Sequence, residues 1–236
     1  MSIISAKTAG AAGAAPLLRK VSDKGEPVLN LPARGGVYRR AFKRALDLFA
    51  ILAAVPIIVP VIVVLAILVA RDGGSPFYSQ MRIGKGGRSF RMWKLRSMVV
   101  DADERLEAWL AVNPAARAEW DSTQKLRNDP RVTRFGHFLR RSSLDELPQL
   151  WNVFIGNMSL VGPRPMMLNQ RELYPGTAYY ALRPGVTGYW QTAGRNRTTF
   201  EARAEYDAVY EEQLSLVTDL GILARTVSVV LRGTGC

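Results

Sequence analysis

Two adjacent carboxylates, Asp145 and Glu146, are followed 19 residues later by a guanidinium set between prolines, Pro163-Arg164-Pro165. A carboxylate nucleophile, a carboxylate neighbour able to manage metal or protons, and a fixed Arg that grips phosphate oxygens at two points suit phosphoryl transfer. Ser143-x-x-Glu146 also matches a helix capping box, in which Glu146 would serve only the helix start. Asp145 would then be a carboxylate stabilised by the helix dipole. The local pattern leaves both readings open. Pro148 predicts either distorted first turns or a delayed start for the helix expected from about Ser143. Lys94 and Arg96, in Trp93-Lys94-Leu95-Arg96-Ser97-Met98, add cations among apolar neighbours. Arg183-Pro184-Gly185-Val186-Thr187-Gly188 and Gly194-Arg195-Asn196 form a Gly-rich, Arg-containing stretch that either wraps phosphate or sugar or makes only a compact turn.

Bulk composition narrows the chemistry. A net charge of +12 over 236 residues, with a pI near 10.3, calls for an anionic partner. The basic residues are spread along the chain rather than interleaved with aromatics in one stripe, so no nucleic-acid partner is expected. Cys236 is the only cysteine and His137 the only histidine. That excludes an intramolecular disulfide and a multi-His metal site, and fits a reducing cytoplasmic setting. Carboxylates are left as the expected nucleophile and base.

These groups must be positioned by three regions. Residues 1–36, rich in Ala, Gly and Pro without periodicity, read as a disordered tail. Residues 37–71 form a membrane segment and 72–236 a catalytic domain. The apolar run Leu48 to Ala70 would be about 35 Å long as a straight helix, enough to span a bilayer. Pro56 and Pro60 in its middle, and basic residues at both ends (Arg39, Arg40, Lys43 and Arg44; Arg71, Arg82, Lys85 and Arg88), favour a kinked hairpin that dips in and returns. A hairpin is expected from Phe77–Gln80 and Phe90–Leu95 around Gly84, Gly86 and Gly87. Residues 101–120 read as an amphipathic helix interrupted at Pro114, Arg134–Arg141 as a basic helix, and Phe200–Leu231 as mainly helical. The expected fold class is mainly α with a minor β-hairpin.

In this order the pieces resemble the monotopic phosphoglycosyl transferases, a family of bacterial sugar transferases. The resemblance covers roughly residues 38–234. It is carried by Lys43-Arg44-Ala45-Leu46-Asp47, Ser75-Pro76-Phe77-Tyr78-Ser79-Gln80-Met81-Arg82-Ile83-Gly84, Lys94-Leu95-Arg96-Ser97-Met98 and Asp129-Pro130-Arg131-Val132-Thr133. Leu139 to Leu150, Val161-Gly162-Pro163-Arg164-Pro165 and Arg183 to Gly188 continue it, with Ser215-Leu216 and Asp219-Leu220 near the end.

The resemblance implies transfer of a sugar 1-phosphate from a UDP-sugar to undecaprenyl phosphate, with Mg2+, through a phosphosugar-aspartyl intermediate and release of UMP. By position, Asp145 is the implied nucleophile and Glu146 its dyad partner, with metal contact falling to the same two residues. Arg140 and Arg164 correspond to phosphate- or nucleotide-contacting arginines, with Lys94, Arg96 and Arg195 as further substrate-binding candidates. The implied fold is a compact helical domain on the cytoplasmic face of the inner membrane, entered by a re-entrant helix-break-helix hairpin with Pro56 as the main break and Pro60 as a further constraint. Where the family commonly carries an acidic or aliphatic residue after the second proline, this chain has Met166-Met167, and no role is carried over there. Asn113-Pro114-Ala115-Ala116, Glu119-Trp120 and Lys125-Leu126 resemble the exopolysaccharide-initiating branch, implying UDP-galactose, with UDP-glucose the main rival. A non-catalytic, membrane-anchored component of polysaccharide export is the competing class, and a homo-oligomer is left open.

Overall fold

The computed structural model describes residues 19–21, 27–29, 36–123, 126–194 and 199–231. Helices dominate. A π-helical turn, Tyr38–Phe42, runs directly into α1, Lys43–Ala70, which together are long and apolar enough to cross a membrane. Pro56 and Pro60 lie inside α1, which continues through them without interruption. Each proline removes one backbone bond to the residue four positions back, and the bonds on either side carry the helix across. The break that the prolines predict is therefore absent from the backbone, and what remains of it is two missing donors in mid-helix.

Only one stripe of α1 faces protein: Asp47, Ile51, Leu65 and Val69 are buried, while Leu52, Ile57, Val63, Val64 and Ile67 are exposed. Both ends are held by the same domain. At the start, Lys43 Nζ and the Tyr38 hydroxyl each donate to Asp219 Oδ2 at 2.6 Å. Arg44 donates to the Val153 and Phe154 carbonyls, and Asp47 accepts from Ser159 Oγ and Leu160 N. At the far end Leu65 and Val69 pack on Leu95 and Leu139.

The expected hairpin forms as β3, Phe77–Ile83, antiparallel to β4, Ser89–Leu95, with Gly86 and Gly87 at positive φ in the turn. The amphipathic stretch forms α2, Ala102–Val112, and α3, Pro114–Thr123, broken where Pro114 was expected to interrupt. The basic helix is α4, Arg134–Ser142, capped by Thr133, whose hydroxyl accepts from Gly136 N at 2.8 Å.

After α4 the chain departs from the expected helix. Ser143 adopts φ 57°, ending α4, and a single 3-10 turn, Leu144–Glu146, precedes α5, Gln149–Phe154. The capping box at Ser143 and Glu146 does not form, since Ser143 makes no side-chain cap bond. Pro148 is the reason: lacking an N–H, it sits as the cap before α5, so the regular helix starts only after it.

Short strands β5, Ser159–Val161, and β7, Gly185–Thr187, pair in parallel, and β6, Met166–Met167, adds antiparallel to β3. After α6, Ala178–Ala181, the chain closes with α7, Arg203–Gln213, and α8, Leu216–Leu231, as the helical reading of that region expects. Within the expected disordered tail, β1, Arg19–Val21, and β2, Pro27–Leu29, pair antiparallel, and the rest of residues 1–35 lies outside the described residues.

Candidate active site

The 3-10 turn that replaced the expected helix carries the dyad. Asp145 is 8% exposed, and Lys94 Nζ lies 3.5 Å from its Oδ2 and 2.8 Å from Glu146 Oε1. One ammonium thus serves both carboxylates. Burial raises the Asp145 pKa above the usual carboxylate range; Lys94 pulls it down, Glu146 pushes it up, and Arg140 pulls it down again. An anion kept this dry and only partly neutralised is a more reactive oxygen than a solvated one.

Lys94 is aimed by buried packing behind it. Asn152, fully buried on α5, accepts from Trp93 N at 3.0 Å and donates from Nδ2 to the Arg91 carbonyl at 2.7 Å. Its amide replaces a missing neighbouring strand and locks β4 to α5. Arg140 reaches the same region from α4. Its Nε donates to Ser97 Oγ at 2.9 Å, burial lowers its pKa, and Asp145 is the largest opposing influence. That approach requires Gly136, because a Cβ there would collide with the Ser97 carbonyl.

Beside the dyad opens a small polar cleft lined by Lys94, Glu146, Gln149, Arg82 and Arg164, with Gly185, Val186 and Gln191 closing its other side. Two Gly-containing motifs form its back. Backbone of Gly162 and Gly185 meets so closely that a Cβ on either would strike the other strand, so the Arg183–Gly188 stretch packs against the Pro163-Arg164-Pro165 loop. Beyond that loop β6 pairs with β3, setting Arg82 opposite Met167, and the buried Tyr179 hydroxyl accepts from Met166 N while donating to the Ile83 carbonyl. The loop is therefore tied to a strand on each side, which holds exposed Arg164 beside Arg82.

Arg203, from α7, completes a group of three guanidiniums. It stacks over the Trp190 ring at 4.1 Å, with Arg164 over the same ring at 5.7 Å. Burial and the Arg164 charge push both Arg82 and Arg203 down to about 10. The Nε atoms of both are buried without a hydrogen-bond partner. Desolvated like charges with unused donors are costly until an anion with several oxygens arrives.

Of the candidates read from sequence, Asp145, Glu146, Lys94, Arg140 and Arg164 gather here. Arg96 does not: it donates to Asp72 Oδ2 at 2.7 Å and to the Ser75, Met98 and Val69 carbonyls, pinning the end of α1. Arg195 lies outside the described residues. Arg82, Arg203, Gln149 and Asn152 were not singled out as site residues. Arg82 reads in sequence as one of the basic flanks of the apolar run, and Arg203 and Asn152 carry no local signal.

For a divalent cation the donor set is Asp145 and Glu146, whose side chains already share the positive charge of Lys94. Among the described residues no group of three or more His, Cys, Asp or Glu gathers in one place. Two carboxylates suit Mg2+, which typically takes its remaining ligands from substrate phosphate and water.

Residues 38–233 match the family model described as bacterial sugar transferase. The chain is 49% identical over 198 residues to the UDP-galactose-lipid carrier transferase of Erwinia amylovora, covering 83% of this chain and 42% of that protein. It is 44% identical to the undecaprenyl-phosphate galactose phosphotransferase of Salmonella typhimurium, again covering 83% and 42%. It thus spans less than half the length of these two relatives. Against the exopolysaccharide production protein ExoY of Rhizobium meliloti, identity is 44% over 203 residues, covering 85% of this chain and 88% of the relative.

Proposed function

The chain belongs to the bacterial sugar transferase family, and from that premise we propose that it transfers galactose 1-phosphate from UDP-galactose to undecaprenyl phosphate, the opening step of exopolysaccharide synthesis. The observation that carries this reading is the buried Asp145, sharing Lys94 with Glu146, which lines a cleft where Arg82 keeps an unused buried donor.

In the first step an Asp145 carboxylate oxygen attacks the β-phosphorus of the donor. The bond from that phosphorus to the bridging oxygen breaks, and its electron pair leaves with UMP. In the second step an oxygen of the lipid phosphate attacks the same phosphorus, the Asp145 ester bond breaks, and the carboxylate is regenerated as lipid-diphosphate-sugar departs. Glu146 accepts the proton that a singly ionised lipid phosphate gives up. Arg82, Arg164 and Arg203 hold the diphosphate and the departing UMP, and Arg140 biases Asp145 toward its ionised form. Mg2+ held by Asp145 and Glu146 would neutralise phosphate charge that otherwise repels the attacking carboxylate.

The α1 segment is proposed to stay within one leaflet without crossing the bilayer, with the domain on the cytoplasmic face of the inner membrane. Support comes from its two ends, both held by the same domain through Asp219, Ser159, Val153, Leu95 and Leu139. If α1 crossed the bilayer, the domain residues that hold its two ends would have to lie on opposite sides of the hydrocarbon core.

The test is UMP release by detergent-solubilised protein with undecaprenyl phosphate, Mg2+ and a panel of UDP-sugars. UDP-galactose should outpace UDP-glucose and UDP-N-acetylglucosamine. Equal or faster turnover of the N-acetyl sugar would reject the sugar assignment. No UMP release with any donor would favour a non-catalytic export component.

A further inference from the structure

A second cavity, of about 500 Å³ and almost wholly apolar, lies between the middle of α1 and the dyad-bearing part of the domain. One wall is Ile51, Val55, Ile58 and Ile62 of α1; opposite stand Phe77 and Trp93. Its inner end is Leu147, Pro148 and Leu150, the residues that follow Glu146 directly, and Trp151 and Phe154 complete it. We propose that this groove seats the isoprenoid chain of the lipid acceptor and so delivers its phosphate to the Asp145–Glu146 turn. This deepens the function proposed above and rests on it.

Strand alternation supplies the first argument. Met92 and Lys94 of β4 face the polar cleft, while Trp93 between them faces the groove. The turn into α5 divides the same way: Glu146 and Gln149 line the cleft, Leu147, Pro148 and Leu150 the groove. An apolar chain lying in the groove therefore ends one residue from the dyad, where Lys94 and Arg82 await an anionic head.

The groove is also held open rather than left over. Polar contacts pin α1 at Arg44 and Asp47 on one side, and Arg96 grips the Val69 carbonyl at 3.2 Å on the other. The stretch between, carrying Pro56 and Pro60, is kept from collapsing onto α5. At the groove's edge Trp151 and Phe154 are exposed and stacked with ring centroids 5.6 Å apart. Exposed aromatics beside an exposed apolar helix suit a boundary where lipid enters. The charge arrangement selects the occupant: cations at the inner end complement a terminal phosphate monoester, whereas a bilayer phospholipid would have to bring a bulkier diester head to the same point.

The experiment photolabels the full-length protein in nanodiscs with polyprenyl phosphate bearing a diazirine in its first isoprene units, without UDP-sugar. Label should map to peptides containing residues 51–62 and 147–154, and unlabelled polyprenyl phosphate should displace it where excess phosphatidylglycerol does not. Ile58→Trp and Leu150→Trp fill the groove from opposite walls. Each should raise the KM for lipid acceptor about tenfold, while covalent capture of the phosphosugar without acceptor stays near wild type. Label mapping to α8, equal displacement by phosphatidylglycerol, or an unchanged lipid KM in both variants would overturn the proposal. So would parallel loss of phosphosugar capture in both. If wild type captures no phosphosugar at all, the function proposed above fails, and the labelling, which needs no donor, still decides the groove.

Discussion

The polar cleft and the apolar groove share strand β4 and the stretch Glu146–Leu150, yet they are built on opposite principles. The cleft is lined by Arg82 and Arg164, with Arg203 behind on the Trp190 ring that Arg164 also covers. The buried Nε atoms of Arg82 and Arg203 lack partners, so the group is destabilised until an anion binds. The groove has almost no polar surface to satisfy and is maintained by polar contacts at its ends. Glu146 lines the cleft and Leu147 the groove, and Asp145, buried next to Glu146, is desolvated yet held near Lys94, whose charge favours its ionised form. The proposed reaction, between a water-soluble diphosphate and a lipid phosphate, would need both environments near one carboxylate, and the alternation of β4 places the two within three residues.

The sharpest break in this comparison is Asp145→Asn, which removes the shared anion and should lower turnover about 10⁴-fold or more, measured as UMP release. Glu146→Gln should cost about 10²–10³-fold, with phosphosugar capture less affected than complete turnover because the proton is needed in the second step. Asn152→Leu leaves the Trp93 N–H and Arg91 carbonyl buried without partners. It should destabilise the fold by about 2–4 kcal/mol in a denaturant titration, loosening the wall common to both cavities. Arg203→Lys keeps the charge but loses the planar stack on Trp190. It should raise the donor KM about tenfold with the lipid KM unchanged.

The smallest effect concerns pH. Asp207, behind the cleft on α7, accepts from the Tyr174 hydroxyl at 2.9 Å, and burial pushes its pKa up to about 7. The folded state therefore holds this proton over a range where the unfolded chain, with a carboxylate near 3.9, has lost it. Its contribution to stability falls as pH rises from about 4 to about 7. Asp207→Asn, which can still accept from Tyr174, should flatten the dependence of thermal unfolding on pH across that window; an unchanged slope would remove Asp207 as its source.

Much of this was legible before folding. The turn glycines forecast the β3–β4 hairpin and Pro114 the α2–α3 break, because each depends on neighbours in sequence. Of the two effects that Pro148 predicts, distorted first turns or a delayed start, the delay is the one that forms, and it leaves Asp145 on a 3-10 turn. Arg96, a cation in a motif, reads locally as a ligand, but the fold uses it to hold Asp72. Arg82 and Arg203 could not be found locally, because one joins Arg164 through the β3–β6 pairing and the other through a ring 13 residues away in sequence.

The account stands or falls on the covalent role of Asp145. Intact-protein mass spectrometry after mixing with UDP-galactose and Mg2+, without lipid acceptor, reads it directly. Wild type should gain the mass of one hexose phosphate, mapped by fragmentation to Asp145 and lost when undecaprenyl phosphate is added, and Asp145→Asn should gain nothing. An adduct on Asp145→Asn, or one mapped to any other residue of the wild type, would contradict it.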